Sequence, residues 1–138
     1  MLQIIYISQA RSALAPHELV DLVARSSRRN ERAGITGALY YGGGFFVQAI
    51  EGDQASVMRL YAKILDDERH HDVQLLTVRP VQERFFAAWG MGLVDASADA
   101  SEGQTALRLA LNCGATWNDQ SFDQILAAFR RSLRATAA

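Results

Sequence analysis

Several polar side chains lie in otherwise apolar stretches of this sequence. In "GGGFFVQAIEG" (42–52), Gln48 interrupts a run that is typical of a buried strand. An amide with an unpaired donor or acceptor in a protein core costs about 1–3 kcal/mol, so such a residue needs a partner. Several such residues indicate a binding site if the fold brings them together. The set is Tyr6, Ser26, Asn30, Gln48 and Asp67.

Each candidate also has an ordinary structural explanation. A buried tyrosine such as Tyr6 usually donates its hydroxyl to a backbone carbonyl. Asn30 could cap the end of a helix, and Gln48 could face water on an edge strand. Only the combination of these residues therefore favours a site. Lys63 and Asp67 could simply form an exposed ion pair, four positions apart on a helix. Trp89 and Met91 could simply pack in the core.

Bulk composition restricts the class of protein. The 138 residues, 49% of them hydrophobic, suit one domain with a sizeable core. Because 14 Lys and Arg nearly balance 15 Asp and Glu, overall charge favours neither nucleic acid nor a membrane as a partner. The single cysteine, Cys113, excludes an intrachain disulfide framework. Since "MLQIIYISQA" is neither a signal peptide nor a membrane span, we expect a cytoplasmic protein.

The sequence lacks the motifs of hydrolytic enzymes and metalloenzymes. The glycines at 42–44 are not followed by the Lys-Ser/Thr of a P-loop, and no nucleophile elbow is present. His70 and His71 are adjacent, a spacing that does not bring both rings to one metal ion. We therefore predict no metal site and no hydrolytic activity.

The order of apolar patterns predicts interleaved strands and helices. Pro16 suits the first turn of one helix, and Asp53 suits the N-cap of another. The glycines at 42–44 suit the turn of a hairpin, where positive φ angles are needed. The predicted strands are 2–8, 34–41, 45–51, 72–81 and 87–95, and the predicted helices run from Pro16 to about Asn30 and from about 54 to 68.

This β-α-β-β-α-β-β order indicates an α+β protein with a ferredoxin-like mixed sheet and two helices on one face. In such a fold the natural cavity lies between the two helices, above the central strands. Tyr6 and Gln48 on those strands, with Ser26 and Asn30 on the first helix, are placed to line it. Asp67 extends the inner face of the second helix, at i+7 from Leu60, and Trp89 and Met91 share one face of the last strand.

Residues beyond the sheet read as a linker and two more helices. "SADASE" (97–102) is small and polar, and Ser101 with Gln104 resembles a capping box. We therefore divide the chain into a domain, residues 1–95, and a two-helix extension, residues 96–138, which covers the other side of the sheet or a partner. The last helix, about 120–134, has an apolar stripe of Phe122, Ile125, Leu126, Phe129 and Leu133.

Four segments resemble, in order and spacing, the BLUF family of flavin-binding blue-light sensors over roughly residues 2–94. They are "IIYIS", "SSRRNERAGITGALYYGGGFFVQAIEG", "DDERHHDV" and "RFFAAWGMG". Tyr6 precedes Asn30 by 24 positions and Gln48 by 42, which are the separations of the family's photoactive tyrosine, asparagine and glutamine.

The resemblance implies a flavin bound non-covalently between the two helices, usually FAD, with FMN as an alternative in vitro. It implies that Asn30 binds a pyrimidine carbonyl of the isoalloxazine ring, and that Gln48 lies between the flavin and Tyr6. Ser26 corresponds to a pocket serine near the ring. The resemblance also implies that Lys63 and Asp67 contact the ribityl-phosphate chain. It implies that Trp89 and Met91 respond to the switch and report it to the rest of the protein.

The sequence departs from the family pattern at Arg29, where many members have a second asparagine. An arginine could pair with a phosphate instead. The photoactive residues are unaffected, so the resemblance still implies that light drives electron and proton transfer from Tyr6. Gln48 would then rotate or tautomerise, exchange a donor for an acceptor and shift the flavin absorption to the red.

Our leading interpretation is a stand-alone blue-light receptor that is not itself an enzyme. Its lit state would alter contacts with an unidentified effector protein, and the stripe at 122–133 favours a homo-oligomer. One alternative is a ferredoxin-like flavin-binding or small-molecule enzyme, for which Asp67 is the only ionised candidate base. Another is an RNA-binding sheet, which the lack of positive charge on "IIYIS" and "FFVQAIE" disfavours.

Overall fold

A computed structural model describes residues 1–95 as a five-stranded sheet with two helices. The predicted element order and the ferredoxin-like architecture are confirmed, whereas the two helices predicted within 96–138 lie outside the described residues. Within the described part, neither helix is long and apolar enough to cross a membrane. The elements are β1 (Leu2–Ala10), α1 (Pro16–Arg32), β2 (Thr36–Gly42), β3 (Phe45–Gly52), α2 (Gln54–Leu65), β4 (His70–Pro80) and β5 (Gly92–Asp95).

The sheet is mixed, with the strand order β4-β1-β3-β2-β5. β1 is antiparallel to both β3 and β4, and β2 is antiparallel to β3 but parallel to β5. The register places Tyr6 on β1 directly opposite Gln48 on β3. Directly opposite side chains have Cβ atoms about 4.5–5.5 Å apart. Strand pairing alone therefore brings these two residues together in the interior of the sheet.

The two faces of the sheet bury separate apolar cores. Because side chains alternate along a strand, Ile4 packs toward the helices with Val57 of α2, whereas its neighbour Ile5 packs on the opposite face with Phe86. Tyr6 has the same parity as Ile4 and so faces the helices. The helix face is therefore where the predicted site must lie.

Local sequence explains the turn and the helix starts that frame this site. Gly43 and Gly44 form the β2–β3 turn with φ of 60° and 81°, a region that residues with a side chain rarely adopt. The carboxylate of Asp53 accepts the backbone N–H of Ser56 at 3.3 Å, which confirms the predicted N-cap of α2. Pro16 begins α1 as predicted.

Two elements are shorter in the structure than the sequence predicts. α2 ends at Leu65, so the prediction that Asp67 lies on its inner face is wrong. Asp67 instead accepts the backbone N–H of Arg69 at 2.9 Å, a local side-chain contact that competes with further helix. β5 begins only at Gly92, and the preceding residues form a turn in which the N–H of Trp89 donates to the carbonyl of Phe86.

Candidate functional site

A cleft opens on the helix face between α1 and the C-terminal end of α2. It includes about 500 Å³ of space, counting the part open to solvent. Its lining combines apolar and polar side chains, as small-molecule sites usually do. Six of the predicted site residues line it: Tyr6, Ser26, Arg29, Gln48, Asp67 and Met91.

Three of these side chains form a hydrogen-bonded chain. The Tyr6 hydroxyl donates to Oε1 of Gln48, and Nε2 of Gln48 donates to Sδ of Met91 at 3.5 Å. A thioether sulfur can only accept, so this contact favours the orientation in which Oε1 of Gln48 faces Tyr6. Gln48 is only 8% exposed on an interior strand, which rules out the alternative that it faces water on an edge strand.

The environment of Tyr6 keeps its phenol protonated. Burial is the largest cause that raises its pKa well above the usual value of about 10, and the negative charge of Asp67 acts in the same direction. The cations Arg69 and Arg29 oppose this shift without cancelling it. Because the protonated form is favoured in the folded protein, Tyr6 retains a proton to donate at all ordinary pH values.

Asn30 is fully buried, and the oxygen of its side-chain amide has no hydrogen-bond partner among the described residues. Its Nδ2 donates to the carbonyl oxygen of Gly90 at 2.9 Å, which leaves only Oδ1 unpaired. Such an unpaired acceptor costs about 1–3 kcal/mol unless a ligand supplies a donor. Gly90 can come this close to α1 because it has no side chain. A Cβ at this position would lie only 2.7 Å from Oγ of Ser27.

His70 links the end of α2 to β1 beside Tyr6. Its Nε2 lies 2.6 Å from the carbonyl oxygen of Ile64, and its Nδ1 lies 2.7 Å from Oγ of Ser8. A carbonyl oxygen only accepts, so Nε2 carries a proton, and in the neutral ring Nδ1 accepts from Ser8. The ring centroid of His70 lies 6.1 Å from that of Tyr6, so this link supports one wall of the cleft.

Asp67 pairs with Arg69 across the turn before β4. The carboxylate accepts from Nε of Arg69 at 2.9 Å as well as from its backbone N–H. The side-chain hydrogen bond from Arg69 is the largest cause that lowers the pKa of Asp67, and partial burial opposes it. Asp67 is therefore ionised at neutral pH. Its partner is Arg69 rather than Lys63.

A second cavity lies between α1 and α2 beside the cleft, and Arg29 borders both. Its polar lining comprises Arg29, Asn30, Ser56, Arg59 and Lys63, with no carboxylate among the lining residues. Three cations around one cavity favour an anionic group such as a phosphate. Lys63 thus lies next to the cleft rather than in it, and Arg59 is a lining residue that sequence reasoning missed.

The prediction that Trp89 and Met91 share a face is wrong. Met91 packs with the helix-face core, whereas Trp89 packs with Phe86 against the core on the opposite face. The reason is that both residues precede β5, so strand alternation does not govern them. The proposed reporting role of Trp89 stays a prediction.

Among the polar residues that line the cleft, two were not predicted as site residues, Arg69 and His70. Both lie in the segment "DDERHHDV", where the sequence pattern draws attention to His70 only as the neighbour of His71. A signal was present, because strand alternation places Ser8 on the same face as Tyr6, where a buried hydroxyl needs a partner.

Comparison with known proteins identifies the family. A family model described as sensors of blue-light using FAD matches residues 1–92. The chain belongs to the BLUF family. BLUF domains sense blue light, and FAD is the cofactor with which the family is defined, so the implied family and cofactor are confirmed.

Relatives with BLUF domains include fusions to other domains. The photoactivated adenylate cyclase subunit beta of Euglena longa is 41% identical over 83 residues, which are 60% of this chain and 10% of the relative. The subunit alpha of Euglena gracilis is 38% identical over 88 residues, 64% of this chain and 9% of the relative. The chain thus spans about a tenth of the length of these relatives.

Solved BLUF structures are similar to this chain. The dark state of BlrB, described as a BLUF protein, is 31% identical with a TM-score of 0.70, covering 98% of this chain and 96% of that one. The ground state of BlsA is 27% identical with a TM-score of 0.75, covering 93% and 86% of the two chains.

Proposed function

We propose that the cleft holds the isoalloxazine ring of FAD and that the chain Tyr6–Gln48–Met91 records the absorption of light. The observation that carries this proposal is the buried amide of Gln48, held between a phenol that donates and a sulfur that accepts. An amide can reverse these roles by turning over. It is therefore a switch that needs no movement of the backbone.

The lining residues fit a flavin ring. Leu39 and Phe46 supply apolar walls, as the flat ring of a flavin requires. Ser26 offers a hydroxyl in the cleft. Asn30, on the same helix, lines the adjoining cavity, and its unpaired Oδ1 is suited to accept the N–H of the pyrimidine ring where the two cavities meet. The buried polar atoms thus match the polar edge of the ligand.

The adjoining cavity suits the remainder of the cofactor. Arg29, Arg59 and Lys63 offer positive charge to its phosphate groups. Asp67 is ionised and accepts hydrogen bonds only, which suits hydroxyl groups of the ribityl chain. The arginine that replaces the family's second asparagine therefore adds a phosphate contact in this chain.

When bound, the flavin supplies the absorption of blue light and an excited state that accepts an electron. Tyr6 is suited to provide that electron because its buried, neutral phenol can release a proton at the same time. The hydrogen bond to Oε1 of Gln48 orients the proton that Tyr6 would release with the electron, and both would pass to the flavin. Burial keeps water from competing for the proton.

The amide of Gln48 has a less stable second arrangement. If it turns over, Nε2 faces the Tyr6 hydroxyl, which must accept, and Oε1 faces the Met91 sulfur, which cannot donate. Such a mismatch costs about 1–3 kcal/mol, so the turned arrangement returns thermally to the first. The changed hydrogen bonding accounts for a reversible red shift.

Signalling in this chain goes to a partner protein of unidentified type. Adenylate cyclases occur among its relatives, but for this chain we propose a cytoplasmic light-sensing module, residues 1–95, with an extension, residues 96–138, that contacts the partner or a second copy. No catalytic step is assigned to the described residues. The homo-oligomer rests on the apolar stripe at 122–133.

The basic test is to purify the protein with flavin and illuminate it. We expect a yellow protein whose absorption moves to longer wavelength under blue light and returns in the dark. A protein that binds no added flavin, or whose spectrum is unchanged by light, would contradict the proposal.

Asn30→Ala should weaken flavin binding about tenfold, because the ring loses a buried acceptor and the contact of Gly90 with α1 is loosened. Fluorescence titration of the flavin measures the dissociation constant, and the melting temperature of the flavin-free variant shows whether the fold is intact. Unchanged affinity would remove Asn30 from the binding residues.

Lys63→Met should lower the affinity for FAD and FMN about two- to fivefold and leave riboflavin binding unchanged, because only the first two carry phosphate. Arg28→Met is the matched control, since Arg28 is exposed on α1 and borders neither cavity. Equal losses for riboflavin and FAD would mean that Lys63 does not bind phosphate.

A further inference from the structure

A row of polar side chains crosses the sheet on the face opposite the helices. Arg79, Gln3, Glu51 and Thr36 lie directly opposite one another on β4, β1, β3 and β2. Nε of Arg79 donates to Gln3 at 2.9 Å, and Nε2 of Gln3 donates to Oε2 of Glu51 at 3.1 Å. Oγ1 of Thr36 donates to Oε1 of Glu51 at 3.0 Å. The centre of the row, Glu51, is completely buried.

Glu51 also binds the segment that follows β4. The backbone N–H of Phe85 donates to its Oε2 at 3.0 Å, and the backbone N–H of Phe86 donates to its Oε1 at 2.5 Å. Each carboxylate oxygen thus accepts one bond from the sheet and one from this segment. A carboxylate has about four lone-pair sites, so all of its accepting capacity is used. This pattern explains why a carboxylate is tolerated in the core.

The segment that Glu51 fastens ends at the photoactive chain. Phe86 accepts the N–H of Trp89 at 3.0 Å, and Trp89 accepts the N–H of Gly37 on β2 at 3.1 Å. Two residues further, Met91 accepts from Gln48 on the helix face. The position of Met91 therefore depends on how firmly residues 85–89 are held against the sheet.

We propose that Glu51 is a positioning residue for the photoresponse: it fixes residues 85–91 so that the Met91 sulfur stays within reach of the Gln48 amide. The inference rests on the function proposed above and extends it to the opposite face of the sheet. Glu51 acts only through the backbone of this segment, since its carboxylate contacts neither Tyr6 nor Gln48.

Glu51→Gln tests this role with almost no change of volume. Whichever way the new amide sits, its NH₂ faces one backbone N–H, that of Phe85 at one position or that of Phe86 at the other. Two donors then oppose each other, and the segment must move. The aspartate or alanine variants would in addition leave a cavity, so the amide is the cleaner change.

We expect the Glu51→Gln protein to bind flavin and to keep the light-induced red shift, because Tyr6 and Gln48 are unaltered. Its dark recovery should be about two- to tenfold slower than in the wild type, since the dark arrangement loses the contact with Met91. Met91→Ala should slow recovery similarly. In the Met91→Ala background, Glu51→Gln should have no further effect.

Glu83→Gln is the matched control, because Glu83 is exposed just before the same segment. Two results would overturn the inference and leave the function of the cleft intact. One is dark recovery in Glu51→Gln that is no slower than in the wild type. The other is that Glu51→Gln slows recovery by the same factor in the Met91→Ala background as in the wild type. No light-induced shift in the wild type overturns both.

A second measurement needs no variant. The amide protons of Phe85 and Phe86 should exchange slowly with solvent in the dark state, because both donate to a buried carboxylate. Exchange at the rate of an unstructured peptide would show that Glu51 does not hold the segment, and would overturn the inference even if Glu51→Gln failed to fold.

Discussion

Replacing Gln48 by leucine should abolish the light-induced red shift in a protein that still binds flavin. Leucine is of similar size but offers neither donor nor acceptor, so Tyr6 loses its acceptor and Met91 loses its donor. No second hydrogen-bond arrangement exists in this variant, and the effect is therefore complete loss rather than a smaller shift. The measurement is the light-minus-dark absorption difference spectrum.

Gln54→Leu provides the control for this variant, because Gln54 is exposed at the start of α2 and has no place in the cleft. It should shift and recover as the wild type does. A normal red shift in Gln48→Leu would show that the signal does not pass through this amide, and would contradict the proposed switch.

Tyr6→Phe should also retain flavin and lose the red shift. The substitution removes a single oxygen atom, leaves Oε1 of Gln48 without its donor and takes away the proton that accompanies electron transfer. Because the nearest electron donor proposed for the flavin is lost, the fluorescence of the bound flavin should rise. Steady-state fluorescence and the absorption difference spectrum measure the two effects on one sample.

Tyr61→Phe separates this role from a general effect of aromatic residues. The Tyr61 ring centroid lies 5.9 Å from that of Tyr6, but its side chain is only half-buried and lies outside the hydrogen-bonded chain. We expect a normal shift. If the Tyr6→Phe protein responded to light and the Tyr61→Phe protein did not, Tyr61 rather than Tyr6 would be the photoactive tyrosine, which would contradict the proposal.

The parts of the site that follow from local periodicity could be predicted from the sequence. Alternation along β1 and β3, together with the β2–β3 hairpin, puts Tyr6 and Gln48 on the face toward the helices. The helical spacing from Leu19 to Asn30 likewise identifies the buried face of α1. Such patterns need only short stretches of chain.

The parts that depend on distant contacts could not be predicted. Glu51 follows an apolar run and reads as the polar end of a strand, and only Phe85 and Phe86, more than thirty positions away, show why it is buried. Met91 and Trp89 read as a strand because they alternate with small residues. Their separation onto two faces depends on the turn at 85–88, which local spacing does not specify.

Infrared difference spectroscopy can observe the rearrangement of the Gln48 amide directly. The flavin-loaded protein is prepared with isotope-labelled glutamine side chains, and spectra are taken in the dark and under blue light. We expect a side-chain amide band that moves with the label, changes on illumination, recovers in the dark and is missing from Gln48→Leu. A protein that shifts to the red without any label-sensitive band would show that light leaves this amide unchanged.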